Sequence, residues 1–271
     1  MPTVSVPLDG DLAAAHLAAL GVRPGDVLIV HASLRAVGPV DGGARTMVDA
    51  LRRVLGPAGT LVVPAFTPEN SDTSPHYRER VDGLSAEARE AVRASMPPFD
   101  RDTSAAPSMG RLAETVRTMP GAGRSGHAQT SFAAIGPAAG ELLAGHRADC
   151  HLGEDSPLAR LYEADAHILM LGTGFDTCTA FHLGEYRLPD PPRRRYSCVV
   201  TREGLRQWWE YEDVDLDDSD FGGLGAAFAG AAGEGTVRLG RVGSAPCRLV
   251  RLTPAVDFAT GWLAAHRPVR G

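Results

Sequence analysis

The chain has 271 residues, 44% of them hydrophobic and 22% charged, which is ordinary for a soluble globular protein with a sizeable core. Its net charge of -6 argues against nucleic acid as the main partner and mildly favours cationic ligands. The N-terminus lacks the basic start and apolar core of a signal peptide, no apolar run approaches a membrane span, and the four cysteines form no C-x-x-C pair, so we expect a cytoplasmic protein with reduced thiols.

The first part of the chain has the order of a βαβ unit. Periodicity predicts a helix over residues 11–20, a strand over 27–30, an amphipathic helix over 44–55 and a second strand over 60–63. This order favours a parallel sheet. The next region, about 66–104, is long, polar and rich in proline, and we expect an inserted functional or mobile loop there.

The later elements mix helices with strands and end in antiparallel patterns. We predict helices over 109–118 and 138–144, a helix that begins with Ser156 as N-cap and Pro157 at its first position, a buried strand over 168–171, a hairpin of 196–201 with 205–211, late strands over 237–241 and 247–252, and a final helix to 266. The chain is therefore expected to be one α/β domain over residues 1–271, with a mixed sheet that joins a parallel βαβ core to a later antiparallel hairpin.

A stretch of polar residues follows the buried strand 168–171, which is where α/β folds place their sites. Gly172 and Gly174 allow the backbone to turn tightly there. A helical turn would bring four polar side chains, three or four positions apart, to one face: Thr179, His182, Glu185 and Tyr186.

Four blocks of sequence resemble the aminoglycoside 3-N-acetyltransferase family, in order and over nearly the whole chain. They are VHASLRAVGPVDGG at 30–43, PAFTPENSDTS at 64–74, GRSGHAQTSFAAIG at 123–136 and the long block at 153–187. The resemblance implies a distinct α/β fold and transfer of acetyl from acetyl-coenzyme A to the 3-amino group of a 2-deoxystreptamine ring. Two departures are Ala128, where the family usually has proline, and Cys178, where it usually has asparagine.

The reaction that the resemblance implies needs a base, because an amine is mostly protonated at neutral pH. An imidazole has a pKa near working pH, and His182 is our candidate. The resemblance implies a carboxylate partner for this histidine on a later element, near residues 208–213. We choose Glu212, with Asp213 second, because strand register decides which side chain points inward.

We expect direct transfer in a ternary complex. The oxyanion donor is Thr179, or a backbone N–H of Ser33 or Leu34. A strand end followed by a glycine loop and a helix N-terminus offers donors for coenzyme A. Two segments are expected to contact it: Ser33, Leu34, Arg35, Val37 and Gly38, then Arg124, Ser125, His127, Ser131 and Phe132.

An aminoglycoside is a polycation, so its pocket should be acidic. We expect six residues to contact it: Asp72, Tyr77, Asp176, Glu185, Tyr186 and Asp213. The histidines have no metal-ligand spacing, so we expect no metal. We expect no nucleic-acid or membrane partner, and a monomer or a homodimer.

Three alternatives stay open at this point. The acceptor is another small amine, such as a biosynthetic intermediate, which the Cys178 departure allows. The protein is a hydrolase that uses Cys178 and His182, although the chain lacks G-x-S-x-G. Or it is a binding module without catalysis.

Overall fold

A central seven-stranded sheet and a separate two-stranded hairpin organise the computed structural model, which describes residues 7–267. The strands are β1 (Val27–Ala32), β2 (Thr60–Pro64), β3 (Gly123–Arg124), β4 (Phe132–Ile135), β5 (His167–Leu171), β6 (Arg193–Arg202), β7 (Leu205–Val214), β8 (Val237–Val242) and β9 (Ala245–Arg251). In space the central sheet runs β3-β4-β2-β1-β5-β9-β8, and β6 pairs with β7.

The middle of the sheet is parallel and its edges are antiparallel. Strand β1 pairs in parallel with both β2 and β5, while β4 and β9 run antiparallel to their neighbours. The side chains of β5 alternate between two apolar cores, with Ile168 and Met170 in one and Leu169 and Leu171 in the other. The predicted α/β fold with a mixed sheet is therefore confirmed.

Helices cover both faces of this sheet. They are α1 (Gly10–Leu20), α2 (Leu34–Val37), α3 (Gly43–Leu55), α4 (Pro75–Val81), α5 (Ala86–Ser95), α6 (Gly110–Arg117), α7 (Ala139–Leu143), α8 (Pro157–Glu163), α9 (Phe181–Tyr186), α10 (Phe221–Ala231) and α11 (Leu252–His266). One core lies under α1, α3 and α6, and the other under α7 to α11. Among the described residues, no helix combines the length and apolar character that a membrane crossing requires.

The predicted start of α8 is confirmed in detail. The Ser156 hydroxyl accepts the backbone N–H of Leu158 at 3.2 Å, and Pro157 occupies the first helical position. Helix α1 ends on Gly21, whose φ of 117° is a conformation that side chains with a Cβ rarely adopt.

The expectation of one long loop over 66–104 is wrong, because this region contains α4 and α5. Ser74 and Ser85 cap the two helices through their hydroxyls. No residue of α5 is buried, so the sequence has no apolar stripe there to reveal a helix. The region packs on the hairpin, where Phe99 forms an isolated bridge with Val200.

Candidate active site

The site lies where the parallel strands β1 and β5 end side by side. Ala32 and Leu171 are paired at this edge of the sheet. The chain after β5 turns through a short 3-10 helix, Phe175–Thr177, before α9 begins. His182 is the second residue of α9, so the polar stretch opens onto the carboxyl ends of the strands.

His182 is held by a carboxylate on its own helix. Its Nδ1 donates to Oε2 of Glu185 at 2.6 Å, and the two side chains are 13% and 1% exposed. A neutral imidazole with a proton on Nδ1 has a free lone pair on Nε2, and among residues 7–267 no side chain or backbone group bonds that atom. The Phe221 ring lies 4.7 Å from the imidazole and limits how it can turn.

Two cavities meet at His182. The strand-end cavity, about 360 Å³, is lined by His31, Ala32, Cys178 and Thr179 among others. The hairpin cavity, about 370 Å³, lies beside β6 of the hairpin. Its wall includes Thr73, Gln129, Thr130, His151, Arg194 and Tyr196. The two cavities share five lining residues: Phe66, Ser108, Met109, His182 and Asp218.

The thiol of Cys178 is unsuited to nucleophilic attack. It is fully buried, and burial raises its pKa to about 12. A thiolate is the reactive form, so little of it exists near neutral pH. This geometry gives no support to a Cys178–His182 hydrolase.

The carboxylate partner predicted for His182 is wrong. Glu212 is exposed and forms an ion pair with Arg193 at 3.1 Å. Residues alternate along β7, so Tyr211 and Asp213 point inward while Glu212 points to solvent. Glu185, which the sequence analysis places in the acceptor site, takes the position expected for Glu212.

Asp213 is buried as well, but it holds another histidine. Its Oδ2 accepts the backbone N–H of His151 at 2.8 Å, His151 Nδ1–H at 3.0 Å and the hydroxyl of Tyr186. Asp213, Tyr186 and Glu185 line neither of the two cavities. Their expected contacts with the acceptor stay a prediction.

Two other residues expected to contact the acceptor, Asp72 and Tyr77, also lie outside the lining of the two cavities. Asp72 bonds Arg93 at 2.8 Å and the Ser197 hydroxyl, and Tyr77 lies in α4 outside the lining of both cavities. Asp176 is exposed and lines the strand-end cavity instead. The expectation of an acidic wall fails too, since the described lining of the hairpin cavity has one carboxylate, Asp218, beside two arginines.

The second segment expected to contact coenzyme A is internal. Arg124 donates to Ser131 at 2.9 Å and to the carbonyl of Ala65 at 2.7 Å, and burial lowers its pKa to about 10. Three further members of the segment are buried around it: Ser125, His127 and Phe132. These residues hold β3 and β4 in place, and their expected contacts with coenzyme A stay a prediction.

The first such segment stays a prediction. Ser33, Leu34, Arg35, Val37 and Gly38 follow directly on Ala32, which lines the strand-end cavity. Ser33 stands at the start of α2, and its backbone N–H donates to the carbonyl of Leu171 at 2.8 Å. That hydrogen bond fixes the start of the segment at the edge of the cavity.

Several lining residues were missed by the sequence analysis. His31 is almost fully buried on the wall of the strand-end cavity, and burial lowers its pKa to about 4. Its position at the end of the strand within VHASL was the available signal. Asp218 was hidden in a run of acidic residues, and Ser108 and Met109 had no signal at all.

The imidazole of His182 is thus accessible from two cavities, as a group that serves two substrates would have to be. The family model for aminoglycoside 3-N-acetyltransferase matches residues 29–264. The chain is 38% identical over 247 residues to the SPbeta prophage-derived aminoglycoside N(3')-acetyltransferase-like protein YokD of Bacillus subtilis, covering 91% of this chain and 89% of YokD. It is 39% identical over 265 residues to aminoglycoside N(3)-acetyltransferase III of Serratia marcescens, covering 93% and 96%.

Solved structures agree with these relatives. The crystal structure of YokD matches with a TM-score of 0.89 at 34% identity, covering 98% of this chain and 97% of YokD. AAC-IIIb in a binary complex with CoASH and AAC-VIa bound to sisomicin match with TM-scores of 0.82 and 0.83 at 33% identity, each over 97% of this chain and 100% of the other. The chain therefore belongs to the aminoglycoside 3-N-acetyltransferase family of acyltransferases, and the predicted resemblance is confirmed.

Proposed function

We propose that this protein transfers an acetyl group from acetyl-coenzyme A to the 3-amino group of the 2-deoxystreptamine ring of an aminoglycoside. The observation that carries the proposal is the place of His182 at the junction of two cavities. Relatives of similar fold bind CoASH in one case and sisomicin in another, which supports one cavity for each substrate.

The strand-end cavity is assigned to the thioester and the hairpin cavity to the acceptor. The first lies at the carboxyl ends of β1 and β5, where open α/β sheets bind their ligands. The second is walled by aromatic and polar side chains such as Tyr196, Gln129 and Thr130, which suit the faces and hydroxyls of a sugar. Asp218 lines both cavities and is positioned to receive an ammonium group.

The chemical step follows from these positions. Nε2 of His182 takes a proton from the acceptor amine as its nitrogen attacks the thioester carbonyl, and Glu185 stabilises the imidazolium that forms. Thr179 lines the same cavity and offers its hydroxyl to the oxyanion. A C–N bond forms and the C–S bond breaks; the leaving thiolate takes the proton from the imidazolium, so coenzyme A leaves as the thiol and His182 is neutral again. The burial of Cys178 supports direct transfer without an acyl-enzyme.

The test is thiol release from acetyl-coenzyme A in the presence of a panel of aminoglycosides. His182→Ala should lower kcat by about 10²- to 10⁴-fold. His167→Ala, at the opposite end of β5, is the matched control and should keep the wild-type rate. Solvent-level release across the whole panel, or an unimpaired His182→Ala variant, would overturn the proposal.

A second acceptor class is favoured by the charge of the hairpin cavity. Arg78 and Arg194 share its wall with a single carboxylate, Asp218, so it suits a small amine of lower positive charge than an aminoglycoside. The same thiol assay with monoamines and diamines separates the two classes. This class is supported if such amines give a higher kcat/KM than every aminoglycoside, and it is rejected otherwise.

A further inference from the structure

Arg267, directly after the last turn of α11, joins three parts of the chain. Its Nε and Nη2 donate to the two oxygens of Asp220 at 2.8 and 2.6 Å. Its Nη2 also donates to the backbone carbonyl of Asp217 at 2.5 Å, and its Nη1 bonds Oε1 of Glu185. A planar guanidinium presents its donors in a fixed fork, so these contacts fix the relative positions of their partners.

Glu185 is thereby held from both sides. Its Oε2 accepts from His182, while its Oε1 accepts from Arg267 and, at 3.0 Å, from the backbone N–H of Asp217. The carboxylate is 1% exposed, so water cannot replace these partners. A buried carboxylate needs a countercharge or several donors to remain ionised, and Arg267 is the cation that touches it.

The same guanidinium fixes part of the wall of both cavities. Residues 217–220 lead from β7 into α10, and Arg267 contacts the first and last of them. Between them lies Asp218, which lines both cavities, and directly after them comes Phe221, which packs on the imidazole. The hydrogen bonds to Asp220 and Glu185 raise the pKa of Arg267 although burial opposes this, so the cation is permanent.

We propose that Arg267 is a positioning residue for His182, which orients Glu185 and the segment 217–220 and offsets the negative charge that the imidazole faces. The role in catalysis rests on the proposed function, in which His182 is the base. Helix α11 is then part of the catalytic apparatus, although none of its residues lines the two cavities at His182.

The charges around the imidazole show in which direction the loss of Arg267 should change the protonation of His182. Glu185 faces it from α9, Asp217 and Asp218 from the segment before α10, Asp176 from the 3-10 helix and His151 from across the hairpin cavity. Arg267 is the cation that contacts Glu185. Without it the carboxylates favour the imidazolium more strongly, so a higher pH is needed to free Nε2.

The experiment compares three variants by two readouts. Arg267→Gln removes the charge, Arg267→Lys keeps the charge and loses the fork, and Arg251→Gln is the control because Arg251 pairs with Asp165 at the other end of α11. The first readout is the NMR titration of the His182 imidazole, assigned by its loss in His182→Asn. The second is the acidic limb of log kcat/KM for acetyl transfer against pH.

For Arg267→Gln we expect both midpoints to move to higher pH, by roughly 0.5 to 1 unit. Arg267→Lys should keep the wild-type midpoints with a lower kcat, and Arg251→Gln should match wild type in both. An unchanged imidazole midpoint in Arg267→Gln, or the same shift in Arg251→Gln, overturns the proposal.

The test also covers a variant that does not fold and a wild-type protein that has no activity. If Arg267→Gln does not fold, Arg267→Lys carries the test, and a midpoint shifted by 0.5 unit or more in that variant overturns the proposal. If the wild-type protein transfers no acetyl group, the proposed function fails, while the imidazole titration still decides whether Arg267 tunes His182.

Discussion

At the scale of single residues, both carboxylate oxygens of Glu185 accept hydrogen bonds. Its two oxygens have different partners, His182 on one side and Arg267 with the N–H of Asp217 on the other. Glutamine has the same shape, but its amide replaces one acceptor oxygen with a donor and has no negative charge to stabilise an imidazolium. The substitution therefore removes the charge together with the contacts of one oxygen.

Glu185→Gln should lower kcat by about 10²- to 10⁴-fold, since the imidazolium loses its anionic partner. The KM for acetyl-coenzyme A should change little, because Glu185 lines neither cavity at His182. Steady-state kinetics of thiol release measures both. Glu212→Gln, the exposed carboxylate on β7, is the matched control, and equal activity of the two variants would contradict this role for Glu185.

The sequence singled out the histidine at the junction of the two cavities but not the carboxylate that it bonds. The motif stretch pointed to His182, and the three-residue spacing to Glu185 was visible within it. The error with Glu212 arose because the string WWEYEDV alone does not show which alternate residues of β7 point inward. The burial of Tyr211 and Asp213 depends on packing against His151 and Tyr196, which comes from elements distant in sequence.

At the scale of elements, one buried carboxylate, Asp213, helps to attach the hairpin to the rest of the molecule. Asp213 on β7 bonds His151 before α8 and Tyr186 on α9. The bonds from His151 and Tyr186 lower the pKa of Asp213 although burial opposes this, so it remains a carboxylate. Asp213 thus connects β7 of the hairpin to His151, which lines the hairpin cavity, and to α9.

Asp213→Asn should destabilise the fold by about 1.5 to 3 kcal/mol, the usual contribution of hydrogen bonds to a buried charged group. Because His151 and Tyr196 line the hairpin cavity, the KM for the acceptor should rise more than the KM for acetyl-coenzyme A. Urea unfolding and steady-state kinetics measure these effects. Asp190→Asn, on the exposed 188–192 turn, is the control, and equal stability of both variants would refute the attachment.

Elements of the parallel core with a clear apolar pattern were predictable from the sequence. The helix over 44–55 and the strands of the parallel core match the structure closely, because they bury one face or both. Helices α5 and α10 were missed for different reasons. The first buries nothing, and the second contains FGGLG, whose glycines disfavour a helix on propensity alone.

At the scale of the whole molecule, four of the nine histidines are buried in the interior: His31, His127, His146 and His151. The rings of His146 and His151 lie 4.9 and 4.6 Å from that of His127, between the sheet and the hairpin. Burial lowers the pKa of each of the four, to about 4 for His31 and His146. The histidine count in the sequence could not show this, because burial depends on the tertiary fold.

This burial predicts a protein that loses stability in mild acid. The unfolded chain takes up protons on its histidines near pH 6.5, whereas the folded chain binds them only near pH 4 at His31 and His146. The unfolded state therefore holds more protons within this window, and the free energy of unfolding falls as pH is lowered from 6.5 to 4. Each such histidine contributes up to about 1.4 kcal/mol per pH unit.

Urea unfolding at pH 7.5, 6.5, 5.5 and 4.5 measures this slope. In His146→Gln one of the buried groups can no longer titrate, so the slope between pH 6.5 and 4.5 should be shallower by up to about 1.4 kcal/mol per pH unit, whatever the variant loses in absolute stability. His76→Gln, at an exposed histidine of α4, is the control for the loss of a histidine as such. Equal slopes in wild type and His146→Gln would mean that His146 takes up its proton as readily in the folded chain as in the unfolded one. That result would contradict the lowering of its pKa by burial.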